Sequence, residues 1–159
     1  MARTLKPLAV TLRLDKASVI VDEALRLARE HGLLPLTAVV LDAGGQQIAL
    51  KREDGSGIIR VQIACAKAYG ALGMGMSSRG IGELLAERPV FASALTGVSG
   101  GQLVSVPGGV LVCKADGSVV GAVGVSGDTS DRDEFVAINA VKIAGLVPEP
   151  GEPAADWDK

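Results

Sequence analysis

Between residues 17 and 28, apolar side chains fall at Ala17, Ile20, Val21, Ala24, Leu25 and Ala28. That spacing marks one face of a helix with about 3.6 residues per turn. Ser18, Asp22, Glu23, Arg26 and Arg29 occupy the opposite face. His31-Gly32 closes the helix, because glycine accepts the left-handed cap conformation. Residues 36–42 then change to a β-rich run, Ala43-Gly44-Gly45-Gln46 turns the chain, and residues 47–52 continue as a second strand with Ile48 and Leu50 on one face. The pair reads as a hairpin.

Glu53-Asp54-Gly55-Ser56-Gly57 breaks that strand, and a second helix is predicted over residues 58–72. Its side chains are small: Ala64, Cys65, Ala66, Ala68 and Ala71. A helix this slim can lie very close to a sheet or a partner helix. A Gly/Ser loop, a short helix over 81–87, a break at Pro89 and a further helical piece follow. Strands are predicted at 103–106, 110–114 and 118–126, the last two joined by Asp116-Gly117, favoured in tight hairpin turns. Gly121 and Gly124 inside the second of these mark a bulge or a surface closely approached by another group. A last helix opens in the acidic stretch Asp131, Asp133, Glu134, where the helix dipole favours negative charge, and runs to about residue 146. The Pro-rich end, residues 148–159, cannot continue a helix, although Trp157 can dock. The order predicts one α+β domain over residues 1–147, with a mainly antiparallel, roughly five-stranded sheet covered by helices on both faces.

Composition narrows the core and the partners. Of the 159 residues, 48% are hydrophobic but only 3% aromatic, so the core must be aliphatic. The net charge is -2, with acids and bases interspersed. No basic run tracks a phosphate backbone and few rings are present to stack on bases, which argues against a nucleic-acid partner. The basic N-terminus leads into no apolar signal region, and no apolar run reaches the roughly 18 residues of a membrane span. Cys65 and Cys113 lie in apolar periodic segments and read as reduced core residues. The expectation is a cytoplasmic protein without a membrane partner.

Three blocks of residues carry a family resemblance. Pro107-Gly108-Gly109 precedes a strand ending Gly121-Ala122-Val123-Gly124-Val125-Ser126-Gly127, followed by Asp133-Glu134. Val39-Val40-Leu41-Asp42-Ala43-Gly44-Gly45 precedes Arg52 and Asp54-Gly55. Between them stands a helix with Ala64 and Ala66-Lys67-Ala68. In order and spacing these blocks resemble the GlcG/HbpS family, which includes the C-terminal domain of PduO-type proteins. The resemblance spans residues 12–147. It implies a profilin-like fold, homo-oligomers, and an association with haem binding, haem degradation or iron handling. Haem is the cofactor it suggests. Fold alone does not deliver an activity.

The residues themselves leave several chemistries open. His31 is the only histidine; beside a helix-ending glycine it reads as a cap residue rather than a ligand. No other His and no Cys pair stands at metal-ligand spacing, so no metal site is expected. Lys67, among alanines, either sits desolvated as a base, nucleophile or carboxylate partner, or runs its stem along the surface or pairs with an acid. Arg52 and Asp54 are either an exposed ion pair or a pocket rim where Arg52 grips an anion. Asp42 reads as an Asx turn. Gly108 and Gly109 are plain turn geometry or offer free N–H groups to a carboxylate. Ser130 with Asp133, or Asp131 with Glu134, resembles a capping arrangement, and one of these acids can instead pair with Lys67. No Walker or Rossmann spacing is present. The expected ligand-binding set is therefore Arg52, Asp54, Lys67, Gly108, Gly109 and Asp133, between the Lys67 helix, the double glycine and the last helix. Two functions fit it: a small-ligand-binding protein for haem or a related carboxylate-bearing molecule, or a cofactor-independent isomerase, hydratase or lyase using Lys67 and Arg52.

Overall fold

The chain was examined as a computed structural model that describes residues 3–159. Helix α1 (Leu14–Glu30) forms where the apolar stripe predicts it and buries Ala17, Ile20, Val21, Ala24, Leu27 and Ala28. Gly32, at φ 66°, supplies the left-handed residue after its end. The hairpin of β1 (Thr37–Asp42) and β2 (Gln47–Arg52) follows. Asp42 closes its turn by accepting from the Gly44 and Gln46 N–H groups through Oδ1, both at 2.9 Å. This is the Asx geometry that the sequence suggests.

Three helices come next: α2 (Arg60–Met74), α3 (Ser78–Leu85) and α4 (Pro89–Val98). Pro89 begins α4 rather than breaking it, because the first turn of a helix needs no N–H from that residue. Strands β3 (Gly109–Cys113) and β4 (Val119–Ser126), helix α5 (Ser130–Ile143) and strand β5 (Val147–Glu149) complete the chain. The sheet has five strands in the order β2-β1-β4-β3-β5, every pair antiparallel. The α+β architecture expected from the sequence is the one observed.

Alternation along the strands divides the core. Ala38, Val40, Val110, Val112, Val123 and Val125 pack with α1 and α5 on one face. Val39, Leu41, Leu111 and Ala122 pack with Ala64, Ala68 and Ala71 of α2 on the other. On this second face the helix touches the sheet backbone. A Cβ on Gly124 would collide with the Ala64 carbonyl, and one on Gly109 with the Lys67 carbonyl. Alanine on the helix and glycine on the strands together set this spacing.

Two expectations are corrected. Residues 103–106 form no strand. They run as a loop beside α2 and α3, with Leu103 against Gly70 and the Ser105 carbonyl against Gly82. The edge of β3 that they would need is taken by β5, where Leu111, Val112 and Cys113 pair with Glu149, Pro148 and Val147. The fifth strand therefore straddles the boundary at residue 147 where the sequence suggests a tail. Beyond it, Trp157 stacks on Phe135 of α5 with ring centroids 3.5 Å apart and planes 4° from parallel. His31 stands edge-on to both rings.

Candidate functional site

Lys67 sits on the face of α2 that meets the sheet, and its side chain is 2% exposed. Its ammonium donates to the Val125 carbonyl at 2.9 Å and to Asp133 Oδ2 at 3.0 Å. Asp133 Oδ1 accepts from the Asp128 N–H at 3.0 Å. Gly108, at φ 119°, leaves the space the ammonium fills; a Cβ there would lie 2.8 Å from Nζ. Burial pushes the Lys67 ammonium down and the Asp133 carboxyl up, and the attraction between the two opposes both changes. Asp133 is thus the acid that pairs with Lys67, not a capping residue; Thr129 precedes α5 without a side-chain cap.

The double glycine offers no free cradle at Gly109. Its N–H donates to Ser78 Oγ at 2.7 Å. The Gly108 carbonyl accepts from Val125 N–H at 2.9 Å. Lys67, Gly108, Gly109 and Asp133 are brought together as expected, but they close on one another and leave no hollow between them.

Arg52 and Asp54 lie elsewhere. With Arg29, Pro35 and Glu53 they line a shallow, open hollow of about 440 Å³. Arg52 donates to the Ser56 carbonyl at 3.1 Å, and Glu53 takes the ion pair, with Arg29 at 2.9 Å. Lys67, being buried, cannot reach a ligand held there.

Glu134 is the residue the helix-start reading missed. It is fully buried, and among the described residues neither carboxyl oxygen has a hydrogen-bond partner. Arg79 Nε lies 3.3 Å from Oε2. Burial raises the carboxyl to about 7, against the pull of Arg79. The stripe of Ala137, Ile138 and Val141, extended back by one helical turn, lands on Glu134.

The hollow with room for a ligand lies on the α2 side, between the β1–β2 turn and the loop at Gly101-Gln102. Its volume is about 420 Å³, within the size range of small-molecule sites. Leu41, Cys65, Ala66 and Tyr69 form apolar walls, and Gln46, Gln47, Gln62 and Gln102 supply amides. Cys65 is half-buried and lines this opening instead of the core; burial pushes its thiol up. Cys65 and Tyr69 are one turn apart on α2, a spacing of four that places them on one face. Tyr69 also borders two adjoining hollows, one against Met74, Leu95 and Val98 and one against Ala43 and Leu72. Among the described residues no group of three metal-ligating side chains is present, and no helix is long and apolar enough to cross a membrane.

Comparison with known proteins places this architecture. A Citrobacter freundii protein, the uncharacterized 15.0 kDa protein in the dhaT-dhaS intergenic region, is 30% identical over 108 residues, 68% of this chain and 75% of that protein. The crystal structure of HbpS is 26% identical, with a TM-score of 0.73 over 90% of this chain and 97% of the other. That of a PduOC:haem complex is 21% identical, with a TM-score of 0.77 over 86% and 97%. The family model for haem degrading protein HbpS-like matches residues 12–142. With that match spanning both layers of helices and the strands between them, the chain belongs to the HbpS-like family.

Proposed function

We propose that this protein binds a small ligand, haem or a related carboxylate-bearing molecule, in the cleft of Leu41, Cys65, Ala66 and Tyr69. The cleft itself carries the reading. It pairs apolar walls with a few amides, the composition of a small-molecule site, and the chain shares its fold and family with a protein solved as a haem complex. Cys65 and Tyr69 are residue types that can ligate haem iron. The lining holds no cation, so the ligand's carboxylates point outward to solvent while its apolar body enters.

The isomerase, hydratase or lyase reading gains nothing from the geometry. Lys67 is ion-paired and buried, and Arg52 faces a different hollow. We also read the protein as a cytoplasmic homo-oligomer. Free Cys65 and Cys113 suit a reducing compartment, and α4, which buries none of its residues, offers an apolar face to another copy.

Titration of the purified protein with hemin tests the site. Saturable binding with a shifted Soret band is expected. Gln62→Trp, which fills the opening from an exposed position, is expected to weaken it at least tenfold. Absence of saturable binding, or equal binding by the Trp variant, would overturn the assignment.

A further inference from the structure

We propose that Tyr69 is the ligand to the iron of bound haem. This rests on the haem reading of the cleft and goes one step further, to the atom that holds the metal.

Haem iron is held in proteins by imidazole, thiolate, thioether or phenolate. The only imidazole is excluded by topology. His31 ends α1, on the opposite face of the sheet from α2, and turns its ring toward Phe135 and Trp157 at centroid distances of 4.9 and 5.5 Å. Three other donors remain near the cleft. Cys65 lines it, but burial pushes its thiol up, so the thiolate that binds iron is scarce at neutral pH. Met74 borders only the neighbouring hollow and offers a neutral, soft sulfur that leaves ferric charge uncompensated. Tyr69 borders the cleft and both adjoining hollows, and it is 37% exposed. Gly45 makes room for its ring; a Cβ there would stand 3.1 Å from Cε2.

The chemistry balances without an oxidant. The phenol gives its proton to solvent, and its oxygen forms a bond to ferric iron in place of a water. The anionic oxygen offsets the charge of the metal. Leu41 and Ala66 then face the apolar body of the macrocycle, and Gln62 and Gln102 stand as hydrogen-bonding amides.

The test is hemin titration of the full-length protein and of Tyr69→Phe, His31→Ala, Cys65→Ser and Met74→Leu, read by absorption, electron paramagnetic resonance and resonance Raman spectroscopy. The parent is expected to show coordinated-phenolate vibrations and to release about one proton per hemin on binding. Tyr69→Phe is expected to lose both signals, shift the Soret band and bind at least tenfold more weakly, with an unchanged thermal melt. The other three variants should retain the phenolate vibrations. Saturable binding without those vibrations, their survival in Tyr69→Phe, or their loss in His31→Ala overturns the ligand assignment and leaves haem binding standing. Failure of the parent to bind hemin overturns both.

Discussion

Lys67 and Asp133 together hold α2, β4 and α5 at one point. Two charges removed from water are costly unless each satisfies the other and both find further hydrogen bonds. Here Val125 and Asp128 supply those bonds. Lys67→Met therefore strands a buried carboxylate and is expected to cost about 3–5 kcal/mol in urea unfolding. Adding Asp133→Asn should recover part of that loss. If the single variant melts like the parent, the pair contributes nothing to the fold. Glu134 behaves differently because it has no such partner. Its carboxyl rises from an ordinary 4.5 to about 7 in the folded protein. A raised acid favours the folded state while it is protonated. Its contribution is complete below about pH 4.5 and is lost as pH rises through about 7. Glu134→Gln stays neutral throughout, so its stability should gain on the parent across that window by on the order of 3 kcal/mol. A difference that does not change with pH would show that Glu134 is not the titrating group.

At the scale of elements, α2 and β4 are matched by subtraction. The helix gives up side-chain bulk at Ala64 and Ala68, the strand gives up Cβ atoms at Gly121 and Gly124, and main chain meets main chain. Gly124→Ala has no flexible neighbour to displace and is expected to cost about 3 kcal/mol. An unchanged melting temperature would contradict the packing described. The same matching explains what the sequence revealed. The 3.6-residue stripe of α1, the turn at Asp42 and the alanines of α2 are local signals, and each led to the right element. Residues 103–106 and 147–149 look alike locally, both short, apolar and beside proline. Which becomes a strand depends on which reaches the free edge of β3, a property of the whole chain. The candidate site divides in the same way. Lys67, Gly108, Gly109 and Asp133 could be grouped from the blocks that contain them, but not the fact that they satisfy one another and shut out a ligand. Cys65 and Tyr69 were readable as neighbours on one helix face. Their exposure follows from where the Gly101-Gln102 loop runs, which no periodicity reports.

Over the whole molecule, burial is uneven. The sheet and the helices α1, α2 and α5 are well covered, whereas α4 carries no charged residue and buries none of its side chains. Val90 is 84% exposed and Val98 is 87% exposed. Such a surface marks an interaction site, and the proposed homo-oligomer supplies its cover. Val90→Glu combined with Val98→Glu is expected to lower the mass measured by light scattering while leaving the circular dichroism unchanged. A monomeric parent would remove the oligomer from the reading. The pairing of Trp157 with Phe135 has a separate consequence. The chain holds a single tryptophan, and it lies at the seam between the C-terminal segment and α5 rather than in the core. Its fluorescence therefore reports release of that seam. An optical melt of this protein follows the fastening of its last residues, and only a backbone signal follows the sheet itself.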